Sequence, residues 1–137
     1  MKKLIVICSF FVLCVGILHY LSKDGEKSRG YYNEQISFEQ LKEDLKREEE
    51  RVVYFYKDDC QYCKRLTPTI VPLAKEGAIA LNVLNAGKYI EAWDEFNLEG
   101  VPAIIHFREG KEVSRIVGVE EKDVYKNWFL EIKKEHS

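Results

Sequence analysis

The chain is 137 residues long, enough for one domain with a modest core. Its formal charge of −2 hides a split: residues 1–33 carry five Lys/Arg against two acids, which leaves −5 for residues 34–137. A body this acidic argues against nucleic acid as the main partner.

Lys2-Lys3 precede LIVICSFFVLCVGILHYL, residues Leu4 to Leu21, a run without Lys, Arg, Asp or Glu. As a helix it is about 27 Å long, close to the hydrocarbon thickness of about 30 Å. It ends in His19-Tyr20-Leu21 rather than in the small residues of a cleavage site, which predicts an uncleaved membrane anchor over 1–21. Cys8 and Cys14 within it face different directions and read as apolar filler. Basic residues flank both ends, Lys2 and Lys3 before and Lys23, Lys27 and Arg29 after, so they nearly balance. An N-terminal anchor of this kind ordinarily leaves the next domain outside the cytoplasm. The expectation is a single-pass cell-membrane protein whose C-terminal domain is extracytoplasmic, in a compartment that permits disulfides.

Residues 22–33, SKDGEKSRGYYN, read as a polar tether, and 34–137 as the folded domain. Ser37-Phe38-Glu39-Gln40 has the form of a capping box, and Phe38, Leu41 and Leu45 follow at helical spacing. Arg51 to Lys57 is rich in Val and aromatics and predicts a buried strand. Cys60 to Lys75 resumes helical spacing through Leu66, Ile70 and Leu73, with Pro68 and Pro72 bending the axis. A second strand is predicted over Ala78 to Asn85 and a short helix over Ile90 to Phe96. AIIHF after Pro102, a turn at Arg108 to Lys111 and a strand to Val119 form a hairpin. Glu120 to Glu135 closes the domain as a helix with Val124, Trp128, Phe129 and Ile132 on one face. Phe55, Ile104 and Phe107 join Trp128 and Phe129 in the predicted core, and His106 is expected to be packed with its ring hydrogen-bonded. The order α-β-α-β-α-β-β-α is that of an α/β fold, a mixed central sheet flanked by helices, preceded by one transmembrane helix.

The strand VVYFY runs into KDDCQYCK. With Cys60 at the start of a helix and Cys63 one turn inside it, the alpha carbons stand about 5–6 Å apart, within reach of a disulfide. Cys60 also meets the unpaired N–H groups of the helix end, which favour a thiolate. It would be the attacking sulfur, and Cys63, deeper in the helix, the resolving one. Two other uses stay open. A zinc site needs two further ligands, for which only His19, His106, His136 and the anchor cysteines are candidates; two inert packed thiols are the other.

From roughly Phe38 to Ile132 the sequence resembles the thioredoxin family. VVYFY leads into CQYC, Pro68 falls eight residues after the first cysteine, and Gly100-Val101-Pro102 precedes the hairpin in FNLEGVPAIIHFREGKEVSRIVG. A narrower likeness is to small membrane-anchored, extracytoplasmic thioredoxin-like oxidoreductases of Gram-positive bacteria. The resemblance implies catalytic Cys60 and Cys63, no cofactor, and a cis bond between Val101 and Pro102 beside them, with the Val101 backbone free to pair with an extended substrate. Tyr62 adds a surface for an apolar substrate segment.

Two positions depart from the family pattern. Asp59 stands where thioredoxins carry a tryptophan, and Tyr54 where they bury an aspartate that relays protons to the second thiol. An unperturbed phenol ionises near pH 10 and is a poor base at neutral pH, so Lys57 folded inward, or water, would have to substitute. Asp58 and Asp59 oppose a Cys60 thiolate while Lys57, Lys64 and Arg65 favour it. These features predict a membrane-tethered thiol-disulfide oxidoreductase acting on exported proteins or peptides and paired with a membrane redox partner. The missing aspartate leans the direction towards oxidation. The competing readings are a peptide-holding module without redox turnover and a metal-delivery protein using the thiolate pair.

Overall fold

A computed structural model of the protein describes residues 10–20 and 30–135. The chain divides into two compact units with the boundary between Asn33 and Glu34. In the first, residues 10–20 form a helix, α1, whose large apolar side chains are exposed. Residues 1–9 and 21 of the predicted anchor, 22–29 of the tether, and the candidate ligand His136 lie outside the described residues. Among the described residues no helix is long and apolar enough to cross a membrane.

The second unit runs α2 (Phe38–Lys46), β1 (Arg51–Tyr56), α3 (Gln61–Glu76), β2 (Leu81–Asn85), α4 (Glu91–Glu95), β3 (Ala103–Arg108), β4 (Lys111–Val117) and α5 (Lys122–Lys134). The sheet order is β2-β1-β3-β4, with β2 parallel to β1, β3 antiparallel to β1, and β4 antiparallel to β3. Arg51–Tyr56 is buried on both faces after its first residue, as its unbroken Val and aromatic content predicts. Val53, Phe55, Leu84, Ile105 and Phe107 face a core closed by Phe38 and Leu41 of α2 and by Ala92 and Phe96. The alternate residues, Tyr54 among them, face α3.

Ser37 caps α2 by accepting a hydrogen bond from the Gln40 amide at 3.1 Å. Only that half of the expected capping box forms, because the Gln40 side chain reaches forward to Asp44 at 2.6 Å. Asp44 is buried and also accepts from Arg51 Nε at 2.9 Å and from Arg47, which ties the end of α2 to the start of β1. Burial pushes its carboxyl up, but the hydrogen bonds from Gln40 and Arg51 and the charges of Arg51 and Arg47 outweigh burial and hold it below the ordinary carboxylate value. A depressed folded-state value stabilises the fold above the unfolded pKa of about 4 and loses that contribution as the pH falls through the folded value. Asp44→Asn is therefore expected to cost about 1.5–3 kcal/mol at pH 7. Thermal unfolding measured from pH 7 down to pH 2 should show the gap to the unmodified chain shrinking below about pH 4; a gap that stays constant would count against this role.

Two elements differ from expectation. The strand predicted from Ala78 begins at Leu81, because Ala78 takes φ 56° and ends α3, with Ala78 N–H donating to Lys75 O at 3.1 Å and Ile79 N–H to Ala74 O at 2.8 Å. In α5, Val124 is exposed and Tyr125 takes the core position. The Tyr125 hydroxyl accepts from the Glu120 amide at 2.9 Å and donates to Gly118 O at 3.1 Å, so a large amphipathic ring both fills the core and pins the β4–α5 connection. Phe55, Ile104, Phe107 and Phe129 are buried as expected, whereas Trp128 is half-buried and donates to Ser114 Oγ at 2.9 Å. His106 is buried, with Nε2 against the Glu50 carboxylate.

The hairpin turns on Glu109 and Gly110, both at positive φ. A Cβ on Gly110 would lie 2.6 Å from the Leu45 carbonyl oxygen, so only glycine fits. At the opposite edge of the sheet, Gln35 bridges Val83 in parallel through Ile36 N–H to Val83 O at 3.0 Å and Val83 N–H to Glu34 O at 2.9 Å.

Candidate active site

β1 delivers the chain to the start of α3, where Cys60 is the N-cap with extended backbone, φ −79° and ψ 109°. Its Sγ accepts the Cys63 amide at 3.0 Å, satisfying one of the N–H groups that a helix start leaves without an intrahelical partner. Cys60 and Cys63 are joined as a disulfide, their alpha carbons 5.2 Å apart. Cys63 is fully buried while Cys60 is half-buried, so an incoming sulfur reaches the outer atom. The Val101–Pro102 peptide is cis, as the family resemblance implies, and it sets the Val101 carbonyl oxygen 3.6 Å from Cys60 Sγ. Pro102 is buried, and its own carbonyl accepts the Gly118 amide at 2.8 Å. Cys60, Cys63, Val101 and Pro102 thus converge from segments 41 residues apart in the sequence. Tyr62 stands on the outer side of the first turn of α3, 59 % exposed, with the Arg65 guanidinium 4.7 Å from its ring centre.

The inner side of the pair presents two hydroxyls. Thr67 Oγ1 donates to the Cys63 carbonyl at 2.7 Å, and the Tyr54 hydroxyl lies 3.1 Å from Thr67 Oγ1 and 3.3 Å from the same carbonyl. The Tyr54 hydroxyl thus engages the Cys63 backbone and the Thr67 side chain. Lys57 does not fold inward: its ammonium pairs with Asp59 at 3.4 Å, because that carboxylate is two residues away on the same exposed loop. Asp58 is held by the Asn85 amide at 2.9 Å, and Asn85 Oδ1 accepts the Gly87 amide at 2.9 Å. Buried Asn85 therefore braces the turn before Cys60 against the end of β2. Thr67 and Asn85 are site residues that pattern reasoning misses. Their signals are a hydroxyl four residues after Cys63, a spacing at which Thr bonds back to the helix carbonyl, and an amide closing an otherwise apolar strand.

A half-accessible sulfur bonded to a buried one at a helix start, beside a cis-proline turn, defines a thiol-disulfide exchange centre. The family profile of thioredoxin matches residues 32–131. Thioredoxin of Chlamydia caviae is 30 % identical over 73 residues, 53 % of this chain and 72 % of that protein. Thioredoxin of Chlamydia muridarum is 34 % identical with the same coverage. The solved structure of Plasmodium falciparum thioredoxin superposes with a TM-score of 0.64 at 17 % identity, covering 72 % of this chain and 97 % of that one. The chain belongs to the thioredoxin family, and it is a thiol-disulfide oxidoreductase.

Proposed function

We propose that the protein is a membrane-tethered oxidoreductase that forms disulfides in exported proteins or peptides, using Cys60 as the exchanging sulfur and Cys63 as its resolving partner. A substrate thiolate attacks Cys60 Sγ; the Cys60–Cys63 bond breaks and Cys63 leaves with the electron pair, taking up a proton. The substrate's second thiolate then attacks the substrate sulfur of this mixed disulfide and releases Cys60 as a thiol. The substrate loses two electrons and two protons, and both pass to the cysteine pair. A membrane partner carrying its own disulfide restores the oxidised form. Val101 offers its backbone to an extended substrate strand, Pro102 shapes that turn, and Tyr62 supplies an apolar face.

The observation that carries the oxidising direction is Tyr54. Its hydroxyl engages Thr67 and the Cys63 carbonyl, and a phenol leaves Cys63 without the carboxylate base that thioredoxins place there. A resolving thiol that is slow to deprotonate leaves the mixed disulfide open to the substrate's second thiol, which is the oxidative outcome. The membrane reading rests on the apolar run Leu4 to Leu21. The test is the reduction potential of the Cys60–Cys63 couple in the full chain. A value nearer about −120 mV supports oxidation, and one near about −270 mV overturns it. Recovery of the chain with membranes, and labelling of reduced Cys60 by a membrane-impermeant thiol reagent on intact cells, test the tether and its orientation.

A further inference from the structure

The five arginines of the described domain divide sharply. Arg47, Arg51, Arg108 and Arg115 each pair with at least one carboxylate. Arg65 pairs with none among the described residues and stacks on Tyr62 instead. The helix offers it no acid: Gln61, Tyr62, Pro68 and Thr69 stand three and four residues away, and the first turn of α3 contains no acidic residue. Arg65, Tyr62 and Thr69 form one wall of a groove of about 420 Å³ whose other wall is Val119, Glu120 and Lys122. Lys122 likewise has no carboxylate partner among the described residues. It opens α5, where the helix dipole disfavours a cation. With Glu120 as the one acid, the lining carries a net +1 on a domain whose residues 34–137 sum to −5. The groove flanks the redox pair, because its second wall follows Gly118, whose amide is bonded to Pro102 O.

We propose that Arg65, held against Tyr62, and Lys122 accept an acidic side chain of the substrate, so that the protein selects cysteines with a Glu or Asp two to three residues away. The spacing follows from reach. Arg65 lies five residues along a helix from Cys60, about 7.5 Å of rise, and an extended chain covers that in two to three residues at about 3.3 Å each. Glu120 opposes a second acid and keeps the preference to one. This proposal rests on the reading above that the cysteine pair exchanges with peptide thiols.

The test uses the full chain and two dithiol peptides of identical composition, one with its glutamate two residues from a cysteine and one with it eight residues away. Equal net charge removes the domain's overall repulsion from the comparison. The near-glutamate peptide is expected to exchange about three- to tenfold faster at low salt, with the ratio falling towards one at about 0.5 M salt. Arg65→Gln combined with Lys122→Gln is expected to erase the ratio. Equal rates for the two peptides with the unmodified chain would overturn the selection while leaving exchange intact. If neither peptide exchanges, the oxidoreductase reading and this one fall together.

Discussion

Cys60→Ser is expected to lower the rate of dithiol-peptide oxidation by at least about a thousandfold, since a hydroxyl neither forms nor releases a disulfide. Cys63→Ser is expected to behave differently. Its remaining thiol sits at the half-accessible position, with the Cys63 amide aimed at its sulfur from 3.0 Å, and the sulfur that would discharge a captured partner is gone. That variant should accumulate a stable mixed disulfide when offered a disulfide-bearing peptide, visible as a slower band on a non-reducing gel. The asymmetry comes from burial: Cys63 is fully enclosed, so it meets only Cys60. Capture by Cys60→Ser with none by Cys63→Ser would reverse the assigned roles.

The largest effect on stability is expected at Phe96, on the side of the sheet away from Cys63. Its ring packs against Phe38 at 6.0 Å, Phe55 at 5.4 Å and Phe107 at 5.4 Å between centroids, and so joins α2, β1 and β3. Phe96→Ala removes all three contacts and leaves a void that the sheet cannot close, costing about 3–5 kcal/mol. For a domain of this size that lowers Tm by at least about 12 °C. Calorimetry on the variant, with exposed Val113→Ala within about 0.5 kcal/mol as the comparison, checks it. A Phe96 variant that melts with the unmodified chain would mean that α4 contributes nothing to holding the core.

Much of this molecule is readable from local pattern. VVYFY is a buried strand because nothing in it suits solvent, and the cysteines at 60 and 63 are one helical turn apart wherever the helix starts. Gly100-Val101-Pro102 is likewise recognisable, although its place beside Cys60 is a contact over 41 residues of sequence that only the fold creates. What local pattern hides are side chains whose partners are remote or whose chemistry is mixed. Asn85 braces Asp58 across 27 residues. Tyr125 outcompetes Val124 because its ring is apolar and its hydroxyl closes two backbone groups. The start of β2 is hidden because the left-handed residue that ends α3 is Ala78, whose side chain gives no local sign of positive φ. Arg65 reads as one more surface charge until its four paired counterparts are seen beside it.

The short pairing of Gln35 with Val83 has a mechanical consequence. A pull transmitted through the residues before Glu34 reaches the domain first at this clasp, which two backbone hydrogen bonds and one from Gln35 Nε2 to the Tyr56 hydroxyl hold, whereas five residue pairs align β1 with β2. Were the clasp to open, it would release the three residues Glu34 to Ile36, roughly 10 Å of slack. For a chain tethered as proposed above, that slack would extend the reach of the site while the cysteine pair keeps its shape.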